Sequence, residues 1–273
     1  MRTLYLLSGG GIPGLDIHVG IWQALQLAGL NPRTGDEIHG TSAGAAIGAL
    51  MAFGRQAGEV EYLVRGLDER RIRDERPFWR LRIPWIDSFL GHDGIRAVLD
   101  SELPSTFEAL KHPFTCYATN NLTRECLAFH RGGTAGLREA VLASLSIRGV
   151  FPSVRIGDFG YSDGGSRQQL PLPANRKDFD RIVAMIAAPP VKYRAGNLSI
   201  IGGLLWSLHT IFEDRIQDTI DTLADEQSTG RRFVCLRPNC GADADNFRFD
   251  HSLIPQARQQ AMTQLEAQLG VRI

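Results

Sequence analysis

Three short segments carry residue types suited to nucleophilic chemistry. In Gly40-Thr41-Ser42-Ala43-Gly44 a serine stands between two glycines, after a strand-like Ile38-His39 and before the helix-prone run 45–51. A G-x-S-x-G turn takes a strand abruptly into a helix and holds its serine in strained backbone angles. Gly40 and Gly44 let the chain pass without side-chain clashes, with Ala43 between nucleophile and helix. The hydroxyl is then exposed above the positive end of the following helix. Ser42 is therefore a candidate nucleophile. The plainer reading is a glycine-rich turn capping a buried helix through Ser42 or Thr41.

The second segment is Ser8-Gly9-Gly10-Gly11-Ile12-Pro13-Gly14. It matches G-x-G-x-x-G at Gly9, Gly11 and Gly14, follows a strand and opens a helix. A dinucleotide site would also want an acid closing the second strand, about 20 residues on. That region is the loop 30–34, and Asp36 and Glu37 are expected before the second strand rather than at its end. The other use of such a loop is an oxyanion hole built from backbone N–H groups at a helix start. The third segment is Tyr161-Ser162-Asp163-Gly164-Gly165, where the glycines let the Asp163 carboxylate stand open at a strand end. An ordinary D-G turn is the alternative. Asp158 is a rival that lacks the second glycine. His209 and His251 follow Asp163 in the chain order of a Ser-Asp-His hydrolase, and His39 lies three residues before Ser42.

The elements that position these segments alternate along the chain. Strands are expected at 3–7, 38–39, 114–119, 125–130, 153–156, near 161, at 181–187 and at 232–236. Helices are expected at 15–28, 45–53, around 60–67, 95–99 and 136–144, and over 253–265, closed by Gly270. Ser105-Thr106-Phe107-Glu108 has capping-box spacing. Alternation of this kind predicts an α/β fold, a three-layer α/β/α sandwich with a mostly parallel central sheet.

Composition excludes several classes. Of 273 residues, 30 are Lys or Arg and 30 are Asp or Glu, so zero net charge gives no global attraction to nucleic acid. Cys116, Cys126, Cys235 and Cys240 form no disulfide framework and show no metal-ligand spacing, which suits reduced thiols in the cytosol. The N-terminal apolar run is too short for a signal peptide, and no stretch approaches the ~20 apolar residues of a membrane span.

In order and combination, the three segments resemble the patatin-like phospholipase family. The similarity runs over about residues 3–187 and includes Ala143-Ser144 and Phe151-Pro152 ahead of the aspartate. It implies a lipid acyl hydrolase with a Ser–Asp dyad and neither metal nor organic cofactor. Carried over by position, Ser42 is the nucleophile, Asp163 its base, and Gly9, Gly10 and Gly11 supply the oxyanion hole. The implied substrate is a fatty-acyl ester of the phospholipid or lysophospholipid type. Two positions depart from the family. Pro13 stands where it usually has Lys or Arg, and Gln169-Leu170-Pro171 replaces its Asn-x-Pro. The missing cation leaves a binding module on the same scaffold, for lipid or nucleotide, as the competing class.

Residues 1–273 are expected to form one domain, with the motif-bearing core at about 3–187 and a lid or C-terminal helical region at about 195–273. In the latter, Leu198, Ile201, Leu205, Leu208, Phe212, Ile216, Ile220 and Leu223 recur every three or four residues. Such a stripe packs on a sheet, or serves as a lid or a membrane-surface helix. Arg65, Arg70, Arg71, Arg73, Arg76, Arg80 and Arg82 lie near Phe78, Trp79 and Trp85. They read as a solvated face or as an interfacial site for anionic headgroups. The expected protein is cytoplasmic, with peripheral membrane contact as the alternative.

Overall fold

A computed structural model describes residues 1–67, 72, 88, 90–188, 200–227, 232–240 and 249–270, with backbone alone for 200–211. Most of the arginine-rich segment lies outside the described residues, as do the side chains of the first half of the apolar stripe and of His209.

Eight strands form one sheet: β1 (Thr3–Leu7), β2 (Glu37–Thr41), β3 (Phe114–Asn120), β4 (Cys126–His130), β5 (Val154–Ile156), β6 (Phe159–Asp163), β7 (Arg181–Met185) and β8 (Arg232–Leu236). The hydrogen-bonded path is β5-β6-β3-β2-β1-β7-β8, with β4 joined to β3. Pairings among β1, β2, β3, β7 and β8 are parallel. Those of β4, β5 and β6 are antiparallel. Every residue of β1 and β7 is buried. Burial along the whole strand suits central parallel strands covered on both faces.

Alternate side chains feed two cores. Tyr5, Leu7, Val183 and Met185 face the larger one, with helices α1 (Gly11–Leu27), α2 (Ala43–Phe53), α3 (Ala57–Arg65), α4 (Asp93–Glu102), α5 (Leu137–Leu145) and α7 (Leu253–Leu269). Leu4, Leu6, Ile182 and Ala184 face the smaller one with Ile216 and Leu223 of α6 (Ile200–Gln227). Thus the described half of the stripe packs on the sheet.

The register around β3 sets up the site. β4 pairs with residues 115–119 of β3 and so takes one edge of it. β2 pairs with 114–117 and β6 with 118–120, so both must take the other edge. They run in opposite directions and meet head-on: Thr41 lies opposite Tyr117, and Asp163 lies opposite Ala118. The residue that follows β2 is Ser42. The sheet itself therefore brings residues 42 and 163 together across 121 positions of sequence.

Some boundaries differ from expectation. Helix α1 starts at Gly11, not near Leu15, so Gly11 to Gly14 are its first turn. Pro13 is tolerated there because first-turn N–H groups have no helical acceptor to lose. Glu37 is the first residue of β2 rather than a residue before it. Ser105–Glu108 makes no capping box: Thr106 caps a single 3-10 turn without a side-chain bond.

Candidate active site

Ser42 sits where β2 turns into α2, with φ 54° and ψ −123°. A residue carrying a Cβ rarely accepts this conformation, and its persistence means the surroundings enforce it. A Cβ on Gly40 would strike the Gly44 carbonyl, and one on Gly44 would strike the carbonyls of Leu7 and Ser8. The two glycines are thus required by close backbone approach. The elbow is pinned by a relay: Ser42 N–H donates to Ser144 Oγ (2.9 Å), which donates to the Tyr117 carbonyl (2.7 Å). Ser144, noted in the sequence only as a flanking residue, is what ties the elbow to β3.

Asp163 ends β6 and is 8% exposed. Its Oδ1 accepts the Gly165 N–H at 2.6 Å. Its Oδ2 has no well-aligned hydrogen bond. Burial pushes the carboxyl up to about 6, and the nearby Ser42 hydroxyl and the Gly165 N–H hold the rise down. The hydroxyl is thus close enough to influence Asp163 without meeting full hydrogen-bond geometry.

The glycine loop presents two N–H groups rather than three. Gly9 N–H donates to the Gln169 carbonyl at 2.9 Å, so its proton is already engaged. No hydrogen bond among the described residues uses the N–H of Gly10 or Gly11. Pro13, in the first turn of α1, is buried and adds no donor. Ser42 lines a cavity of about 110 Å³ with Ile12, Leu15, Ile95, Val98, Leu145 and Phe151, among others. Among the described lining residues, Ser42 carries the one polar side chain. Such a space suits a hydrocarbon chain leading to a reacting carbonyl.

The rival groups lie elsewhere. His251 Nδ1 bonds Asp16 Oδ1 at 2.9 Å. His39 points to the sheet's other face, with Nδ1 against the Tyr117 hydroxyl at 2.9 Å and Nε2 toward Glu37. Asp158 is in the β5–β6 turn, at the opposite end of β6 from Asp163. Sequence reasoning passed over His18 and Ser8. His18 is wholly buried on α1 with Nε2 2.8 Å from the Ser8 carbonyl. The signal available was a serine directly before the glycine run and a histidine one helical face behind it.

Comparisons with known proteins bear on the family and fold of the chain. The family model described as patatin-like phospholipase matches residues 5–175. An uncharacterized NTE family protein of Mycobacterium tuberculosis is 32% identical over 180 residues, 66% of this chain and 29% of that protein. Human patatin-like phospholipase domain-containing protein 6 is 27% identical over 240 residues, 85% of this chain and 17% of that protein. This chain therefore spans less than a third of the length of these relatives. Among solved structures, VipD from Legionella pneumophila has a TM-score of 0.56 at 14% identity, over 98% of this chain and 67% of that one, a likeness of fold.

Proposed function

The chain belongs to the patatin-like phospholipase family, and from that premise we propose that it is a serine-dependent lipid acyl hydrolase of the phospholipase A or lysophospholipase type. The observation that carries this reading is the pairing of a strained, apolar-pocket Ser42 with a buried Asp163 whose second oxygen lacks an aligned partner. A purely structural turn has no use for either feature.

In this reading the acyl chain lies along Ile95, Val98 and Phe151, and its carbonyl carbon meets Ser42 Oγ. Asp163 takes the hydroxyl proton as the Oγ–C bond forms. The carbonyl oxygen becomes an oxyanion held by the N–H groups of Gly10 and Gly11. Collapse breaks the ester C–O bond, and Asp163 returns the proton to the leaving alcohol. A water then attacks the acyl-enzyme, again losing its proton to Asp163. The acyl C–Oγ bond breaks as Asp163 returns that proton to Ser42 Oγ, and the fatty acid leaves. A carboxylate is a weak base for a serine, and burial strengthens it by raising its proton affinity. His251 pairs with Asp16 and does not line the Ser42 cavity, which favours the dyad over a histidine triad.

The expected substrates are fatty-acyl esters of phospholipid or lysophospholipid, met at a membrane surface by a chain whose described helices are none long and apolar enough to cross one. The test is labelling with a fluorophosphonate, together with release of fatty acid from lysophosphatidylcholine micelles and phosphatidylcholine vesicles. Labelling at Ser42 with release of fatty acid supports the reading. No labelling and no release on any acyl ester would leave a binding module on the same scaffold.

A further inference from the structure

We propose that Ser8 and His18 are positioning residues that aim the Gly10 N–H at the substrate oxygen, a role that rests on the acyl-transfer reading above. The two peptides of the loop are bonded differently. The Ser8–Gly9 peptide is held at both ends: its carbonyl accepts His18 Nε2–H at 2.8 Å, and its N–H donates to the Gln169 carbonyl at 2.9 Å. The Gly9–Gly10 peptide is held at one end, where Ser8 Oγ donates to the Gly9 carbonyl at 2.8 Å. The carbonyl and N–H of one trans peptide lie in one plane and point in opposite directions. Fixing the Gly9 carbonyl therefore fixes the Gly10 N–H, the one group of the two peptides with no acceptor.

Ser8 is itself oriented. It is fully buried, its N–H donates to the Met185 carbonyl (3.0 Å), and its Oγ accepts the Ala187 N–H (3.0 Å). The hydroxyl is thus wedged between β7's exit and the glycine loop with its one proton committed to Gly9. The Ser8 carbonyl also abuts Gly44 of the elbow, so one peptide touches both the nucleophile's turn and the loop facing it.

His18 is a costly way to fill its position. It is fully buried, and its Nδ1 has no hydrogen-bond partner. An unpaired buried nitrogen is destabilising, and an apolar side chain on that face of α1 would avoid the loss. Burial also keeps the ring neutral, pushing it down to about 4, so Nε2 can carry the proton that the Ser8 carbonyl accepts. What the histidine provides, and a leucine cannot, is a donor held in a fixed direction beneath the loop.

The test compares His18→Leu, His18→Gln and Ser8→Ala with the wild type. Glutamine keeps an N–H donor on a side chain of similar reach. His18→Leu and Ser8→Ala should lower kcat about 10–100-fold, the scale of a small misplacement in a catalytic site. KM should change less than about threefold, because ground-state binding lies in the apolar cavity. The affinity of an alkyl boronic acid, whose adduct carries the oxyanion, should fall in parallel with kcat, and His18→Gln should recover most of the loss. If His18→Leu destabilises the chain too far to assay, Ser8→Ala carries the same comparison. Wild-type kcat in His18→Leu and Ser8→Ala, or losses in His18→Gln equal to those in His18→Leu, would overturn the positioning role while leaving acyl transfer standing. A wild-type protein that neither labels at Ser42 nor hydrolyses any acyl ester would overturn both.

Discussion

Asp16 and Asp163 are two buried carboxylates in the same molecule with opposite arrangements. Asp16 is fully buried on α1. Its Oδ1 meets His251 Nδ1 and its Oδ2 accepts the Asp250 N–H, so both oxygens are used, and α1 is tied to the entrance of α7. Burial raises its proton affinity, and His251 and the Asp250 N–H draw it back. Asp163 has one oxygen committed to Gly165 and the other left unaligned beside Ser42. Burial takes it up to about 6, with the Ser42 hydroxyl and the Gly165 N–H holding the rise down. A satisfied buried carboxylate holds elements together, and an unsatisfied one keeps an affinity for a proton in reserve. The histidine late in the chain is a poor candidate for a triad because it ties α1 to the entrance of α7 through Asp16 and does not line the Ser42 cavity.

The sharpest way to break this comparison is to remove each group in turn and assay ester hydrolysis. Ser42→Ala should reduce turnover of a p-nitrophenyl acyl ester to background. Asp163→Asn keeps the shape but not the proton acceptor, and should cost about 10²–10⁴-fold in kcat. Asp16→Asn and His251→Ala should stay within a few-fold of wild type, since neither touches the reacting atoms. A loss in His251→Ala matching that in Asp163→Asn, with the fold intact by circular dichroism, would replace the dyad with a triad.

A pH profile sharpens the same point without mutation. In the dyad reading Asp163 acts as a base only when ionised, and burial pushes its carboxyl up to about 6. The kcat/KM should therefore rise with pH through about 6 and level off above it. A profile already flat at pH 5 would mean that Asp163 is not the titrating base.

Stability should separate the two carboxylates by sign. Asp163 binds its proton more tightly folded than unfolded, so its contribution is present below its unfolded value near 3.8 and is lost as pH rises through about 6. At pH 8 the folded state holds a poorly compensated charge, and Asp163→Asn should raise stability by roughly 1–3 kcal/mol. Burial raises Asp16 in the same direction, but Asn there replaces one of two hydrogen-bonded oxygens by an NH2 facing a donor, so Asp16→Asn should lower stability by roughly 1–3 kcal/mol. Urea melts of the two variants at pH 8 give the comparison directly. Equal signs would mean that the difference in hydrogen bonding does not govern the two sites.

Much of this was legible in the sequence because it was local. The glycines around Ser42 and after Asp163 announced sharp turns, and the alternation of apolar runs announced the parallel sheet. What stayed hidden is long-range registry. Nothing near residue 42 or 163 says that β2 and β6 share one edge of β3, which is why the sequence could offer the pairing only through a resemblance. The commitment of Gly9 N–H to Gln169 was equally invisible, since it depends on a loop 160 residues away. His18 and Ser8 escaped for another reason: each reads as an unremarkable polar residue until the buried distance between them is known.

The smallest expected effect concerns backbone strain, and it again sets two places side by side. Among the described residues, Ser42 (φ 54°) and Arg124 (φ 63°) are the non-glycine residues with positive φ. Arg124 follows β3 in an exposed turn, where its N–H donates to the Asn120 carbonyl and nothing forces a side chain to be present. Ser42 is held by the elbow's packing. Ser42→Ala and Ser42→Gly both remove the hydroxyl and both should be inactive, so activity does not distinguish them. Alanine keeps the Cβ that clashes at positive φ, and glycine does not. Glycine loses more chain entropy on folding, which offsets part of that relief. The balance should leave Ser42→Gly more stable than Ser42→Ala by about 1 kcal/mol. Arg124→Gly should gain only a few tenths of a kcal/mol, roughly, with activity unchanged, since a turn residue near the left-handed helical region carries less strain. Thermal melts of the three variants make the measurement. If Ser42→Gly is no more stable than Ser42→Ala, the elbow stores no strain, and the serine's exposure to substrate comes from its position at the end of β2 alone.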